Sequence, residues 1–112
     1  MAKLECELKG DFHQILDELM TAVLDGSLSA SMEDGSTFET EGCLCAVRVL
    51  ERYSVIGGNR VSLSITLLQT ADKIYLSAIA SGGSQGVVLK INTFGEEAFL
   101  DSIRGVVKKY RI

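Results

Sequence analysis

The chain contains no proline and no tryptophan. Without proline, or any low-complexity or linker-like tract, nothing divides the 112 residues, so residues 1–112 read as a single domain. Without tryptophan, the commonest aromatic anchor of a binding hot spot is missing. Three cysteines, Cys6, Cys43 and Cys45, are too few and odd in number for a disulfide scaffold. No long hydrophobic run is present: the longest charge-free stretch, Ile74 to Leu89, is broken by Gly82, Gly83 and Gly86. It falls short of the roughly 20 apolar residues of a spanning helix, and no membrane partner is expected. Lys3, Glu5 and Glu7 stand where an export signal needs an apolar core. These absences point to a soluble, cytoplasmic protein.

Basic residues are also in deficit. Eleven lysines and arginines against 15 acids leave a net charge of −4, the wrong sign for a nucleic-acid binder. Residues 1–42 hold ten acids and two bases, whereas residues 43–112 hold five acids and nine bases. An antiparallel fold would interleave the halves, so the asymmetry reads first as intramolecular complementarity, with head-to-tail contact between copies as the alternative.

What is there is periodicity. Leu4, Cys6 and Leu8 alternate with charged residues, as in a half-buried strand. Asp11 and Gln14 form a capping box ahead of Phe12, Ile15, Leu16, Leu19, Met20, Val23 and Leu24 at helical spacing, with Gly26 placed for a left-handed cap. Ser27 to Glu33 then alternates, Asp34-Gly35 signals a two-residue hairpin, and Ser36 to Glu41 can run back. Cys43 to Tyr53 is apolar on both faces. Gly57-Gly58-Asn59 and Ala71-Asp72 mark turns on either side of Val61 to Leu67, the clearest strand. Ile74 to Ala80 follows, and Val87 to Ile91 reads as a short last strand. Thr93 to Glu96 resembles a second capping box, with Glu96 and Glu97 in the first turn of a helix carrying Phe99, Ile103, Val106, Val107 and Tyr110 on one stripe. The expectation is an α+β fold, β-α-β(4 or 5)-α, with a curved antiparallel sheet and two helices on one face.

Little in this pattern carries chemistry. His13 sits in the first turn of an amphipathic helix, with no partner placed for it. Cys43 and Cys45 share a strand face, but one intervening residue is not the spacing of a structural zinc site. No metal, cofactor or catalytic residue is expected. Arg48, Glu51 and Arg52 are expected to make strand-face ion pairs. Ser81-Gly82-Gly83-Ser84-Gln85-Gly86 lacks the lysine and spacing of a phosphate loop, but Gly82, Gly83, Ser84 and Gln85 are candidates for ligand contact at a turn. The unusual feature is a small, uncharged strand face. Ser29, Ser31, Ser62, Ser64, Thr66 and Ser77 fall opposite apolar positions, where a solvated face would mix in charge. Such a face costs little to desolvate and lets a second surface approach closely.

Three stretches, Gly57-Gly58-Asn59-Arg60-Val61-Ser62, Ser81-Gly82-Gly83-Ser84-Gln85 and Asn92-Thr93-Phe94-Gly95-Glu96-Glu97-Ala98-Phe99-Leu100, resemble a small bacterial family known only as a domain of unknown function. The resemblance implies no activity and no site residues. The order of elements is similar to that of the TATA-binding-protein-like and helix-grip architectures, and the latter implies an apolar cavity under a curved sheet.

Two functions fit. One is a non-catalytic module that binds a small apolar ligand between sheet and helices, with Phe12, Leu16, Met20, Phe99, Ile103 and Val106 lining the pocket. That is the expected biochemical role; the alternative is a structural or interaction domain that forms a homodimer through its serine-rich face.

Overall fold

The computed structural model describes residues 1–54, 59–82 and 89–112. Five strands form one antiparallel sheet in the order β1-β5-β4-β3-β2. They are β1 (Ala2–Leu8), β2 (Ser31–Thr40), β3 (Cys43–Ser54), β4 (Asn59–Thr70) and β5 (Lys73–Gly82). Helix α1 (Phe12–Asp25) joins β1 to β2, and α2 (Leu89–Asp101) and α3 (Arg104–Tyr110) follow β5. The class is α+β.

Strict alternation makes β4 the floor of the core. Val61, Leu63, Ile65 and Leu67 have no exposed surface, and Ala78, Ala80 and Leu76 of β5 lie beside Ile65, Leu63 and Leu67. Across the next ladder, Ala2 pairs with Ala80 and Leu4 with Ala78. These small side chains let α2 sit close over β5, β4 and β1, where Phe99 and Leu100 are buried. Burying a side chain of this size stabilises the fold by about 1.5–3 kcal/mol. Phe12, Ile15, Leu16, Leu19 and Val23 of α1 complete the same cluster.

Asp11 caps α1 as its sequence predicts, its Oδ2 accepting from the Gln14 N–H at 2.9 Å. The Gln14 side chain does not reach back to complete the box. It donates instead to Glu18 at 3.2 Å and to the Tyr110 hydroxyl at 3.1 Å. Glu18 is the centre of this clasp between α1 and α3, accepting also from Lys109 Nζ at 2.9 Å and from the Tyr110 hydroxyl. The chain then returns to β1: Lys9 N–H donates to the Tyr110 carbonyl at 2.8 Å, and Arg111 bridges to Leu8.

Several local expectations are corrected. Asp34-Gly35 is not a hairpin but lies inside β2, which is bulged between Met32 and Asp34. The turn comes at Glu41-Gly42, where Gly42 takes φ 81°. Gly35 has a different reason to be glycine. A Cβ there would stand 2.9 Å from Arg48 Cδ, and Arg48 crosses that gap to donate to the Ser36 carbonyl (2.8 Å) and Thr37 Oγ1 (2.9 Å). Ser27 to Ala30 is loop rather than strand, and Gly26 ends α1 in the right-handed region.

The expected last strand is also overturned. Leu89 to Ile91 begin α2, so Thr93 is inside a helix, and Glu96 and Glu97 lie two turns from its start. A short apolar run cannot be told from a helical segment by periodicity alone. The single C-terminal helix is instead two. Ser102 and Ile103 N–H groups bond three residues back, to Phe99 and Leu100, and Ser102 Oγ donates to the Phe99 carbonyl at 2.6 Å. That tightening ends α2 and re-aims α3. The turn at Gly57-Gly58 and the residues Val87 and Val88 lie outside the described residues.

The Tyr110 hydroxyl foremost, then the Lys109 ammonium, hold the Glu18 carboxyl below the usual carboxylate range. A depressed folded pKa contributes stability above the ordinary carboxylate pKa, and this is lost as pH falls through the folded value. Glu18→Gln therefore lowers the denaturation midpoint at pH 7, and the gap from the parent closes on acidification. Separately, Ala71 at the β4–β5 turn takes φ 52°, which costs an L-residue energy that glycine does not incur. In urea titrations, Ala71→Gly gains about 1 kcal/mol.

Candidate functional site

The sheet has one face under the helices and one face without them. Reading the ladders across the uncovered face gives three central rows, flanked by one of Ser31, Glu51, Ser62 and Ser81 and one of Thr40, Cys43, Thr70 and Lys73. Asp34, Val49, Ser64, Ile79 and Lys3 form the first central row; Ser36, Val47, Thr66, Ser77 and Glu5 the next; Phe38, Cys45, Leu68, Tyr75 and Glu7 the third. Charge is confined to the edge strands β1 and β2 in all three rows. The middle three strands present only hydroxyl, thiol, aliphatic and aromatic groups there. Phe38 is 62% exposed and Tyr75 41%. A shallow hollow of about 430 Å³ lies between Thr66, Leu68, Tyr75, Ser77 and Glu5. Ser77 Oγ donates to Glu5 Oε2 at 2.8 Å, which anchors that edge.

Of the residues expected on this face, the registers bring together Ser31, Ser62, Ser64, Thr66 and Ser77. Ser29 does not join them. It lies in the loop before β2, where its hydroxyl accepts from the Tyr53 N–H at 3.2 Å. A serine count alone overlooks the aliphatic half of the face, Val47, Val49 and Ile79, together with Phe38, Leu68 and Tyr75. The signal for part of it was in β3, whose apolar residues fall on both faces. A strand half-exposed to water has no need of that.

At the far end of the sheet, on the helix side, Gly82 donates its N–H to Glu96 Oε2 at 2.6 Å. Glu96 is 5% exposed, and its other oxygen faces the Met1 amine in an ion pair. This carboxylate is thus a tie between α2 and the end of β5, rather than a helix cap. Gly83, Ser84 and Gln85 lie outside the described residues. Arg52, two strands away, makes no ion pair with Glu51. Its guanidinium lies 4.6 Å from the Phe99 ring centroid, and burial pushes its pKa down. Glu51 pairs instead with Arg60 at 2.7 Å.

No catalytic constellation is assembled among the described residues. His13 is exposed and packs edge-on against Phe12 at 5.3 Å. Cys6 points to the helix side and Cys43 and Cys45 to the uncovered side, so the three thiols do not meet. Burial raises the Cys6 thiol pKa, partly offset by Arg111, which leaves it a poor nucleophile. No group of three potential metal ligands occurs among the described residues. No helix among them is long and apolar enough to cross a membrane.

No curated protein and no solved structure matches the chain. One family model does, over residues 1–111, nearly the full length over which the strands and helices run. The chain therefore belongs to a family of unknown function, DUF6054.

Proposed function

We propose that this protein is a non-catalytic interaction domain that pairs with a second copy of itself through the helix-free face of its sheet. The observation that carries the reading is the uncharged centre of that face, where Val47, Val49 and Ile79 alternate with Ser64, Thr66 and Ser77. Hydroxyl and aliphatic groups of this size are cheap to desolvate and allow two sheets to approach at about 10 Å. The area also fits. Five strands about 4.8 Å apart and some ten residues long offer roughly 800 Å², the share one partner contributes to a standard interface. Phe38 and Tyr75 supply the aromatic contacts that tryptophan would otherwise provide.

A ligand pocket between sheet and helices is the weaker reading. Of the residues that would line it, Phe12, Leu16, Phe99 and Ile103 are at most 8% exposed within the core, and Met20 and Val106 are partly buried against it. An element order of β-α-β4-α, with all helices on one face, belongs in our reading to the TATA-binding-protein-like and helix-grip group. In this chain the inner face serves packing, and the outer face is left for recognition. Free thiols on that outer face suit a reducing, cytoplasmic setting.

Sedimentation velocity tests the proposal. The parent protein sediments as a dimer at about 100 µM, and Val49→Lys or Ser64→Lys, each placing charge at the centre of the face, yields a folded monomer. A parent protein that is monomeric at that concentration overturns the reading, as do charged variants that remain dimeric.

A further inference from the structure

The inner face of β1 is unevenly covered. Ala2 and Leu8, at its two ends, are buried at 4% and 1%, but Leu4 between them is only partly covered, although it points the same way. The helices leave a hollow there, between the outer edge of β1 and α3, with a volume of about 380 Å³. Its walls are Leu4, Val107 and Ile112, and its rim is Arg104, Lys108 and Arg111. Arg104 is already engaged, by Asp101 at 2.5 Å and Glu97 at 3.5 Å. Lys108 and Arg111 have no carboxylate partner among the described residues.

An apolar floor beside two uncommitted cations, in a chain whose net charge is −4, has the chemistry to take an amphipathic anion. We propose that this hollow binds an aliphatic carboxylate, its headgroup held by Lys108 and Arg111 and its chain laid on Leu4 and Val107. Three features of the site favour this class. The volume lies in the lower part of the range for small-molecule sites, roughly 300–1,000 Å³, which suits a single medium-length chain. The two cations come from α3 and the residue that follows it, across the hollow from Leu4 of β1, matching a ligand with charge at one end. The Leu4 side of the hollow is the sheet edge, where a flexible chain can lie along the strand without displacing the core. The site is separate from the uncovered sheet face and does not depend on self-association.

The test is methyl-region NMR titration of the full chain with decanoate, with decanol and acetate as probes that each keep half of the ligand. Saturable shifts with decanoate at Leu4, Val107 and Ile112, weakened about tenfold or more in a Lys108→Gln, Arg111→Gln double variant, support the site. Both side chains are exposed, so the variant keeps its fold, and its unperturbed core methyl signals verify this. The proposal is overturned by an absence of saturable shifts, by shifts centred elsewhere, or by equal affinity in the double variant. Acetate binding as tightly as decanoate also overturns it, since that reduces the hollow to a charge patch; decanol binding as tightly does so too, since that removes the role of the cations.

Discussion

Burial on one side of a five-stranded sheet is the constraint from which the other features follow. The inner stripe of β4 is completely dry, and among the described residues three short helices cover it and its neighbours. They can do so because the strands beneath α2 carry alanine where the helix comes closest, and because α1 turns a full apolar face inward. With the helices committed to that side, no element among the described residues covers the opposite side. Its composition had to be compatible with water or with another surface, and small hydroxyl and aliphatic side chains are compatible with both.

Among the described residues, two carboxylates tie the helices down, each reaching from the middle of its own helix to the end of another element. Glu18 joins α1 to α3 through Tyr110 and Lys109. Glu96 joins α2 to the last residue of β5. Between these ties the packing is apolar and non-directional, so the polar contacts fix how the helices are placed along the sheet. The break at Ser102 then lets α3 leave the line of α2 and bring Tyr110 and Arg111 back to the end of β1.

How much of this could be read from the sequence depended on the clarity of each period. Strands β1, β4 and β5 and helix α1 alternate or repeat cleanly, and they lie where the pattern puts them. The errors have specific causes. Asp34-Gly35 carries the composition of a tight turn, but its glycine is there to let Arg48 cross the strand, a tertiary contact no local pattern encodes. Leu89 to Ile91 is too short a run to declare its period, and Glu96 looked like a cap because its buried partner, the Gly82 N–H, is distant in sequence. The serine face was visible from alternation in β4 and β5. Its aliphatic half was not, because β3 is apolar on both sides and only the registers show which valines point outward.

The bulge in β2 has a consequence for how such a protein can assemble. An edge strand exposes a row of backbone donors and acceptors on which another sheet can grow without limit. Here β2 is nearly all solvent-exposed, yet it carries Glu33, Asp34 and Glu39, is kinked by an extra residue at Met32–Asp34, and has Arg48 laid across its glycine. At the opposite edge, the Arg111 bridge blocks the end of β1. The β2 margin is thereby made a poor template for strand addition, and the β1 margin is closed at its Leu8 end. Any association that uses the sheet is steered toward stacking, which closes on itself after two copies, and away from lateral growth into fibres.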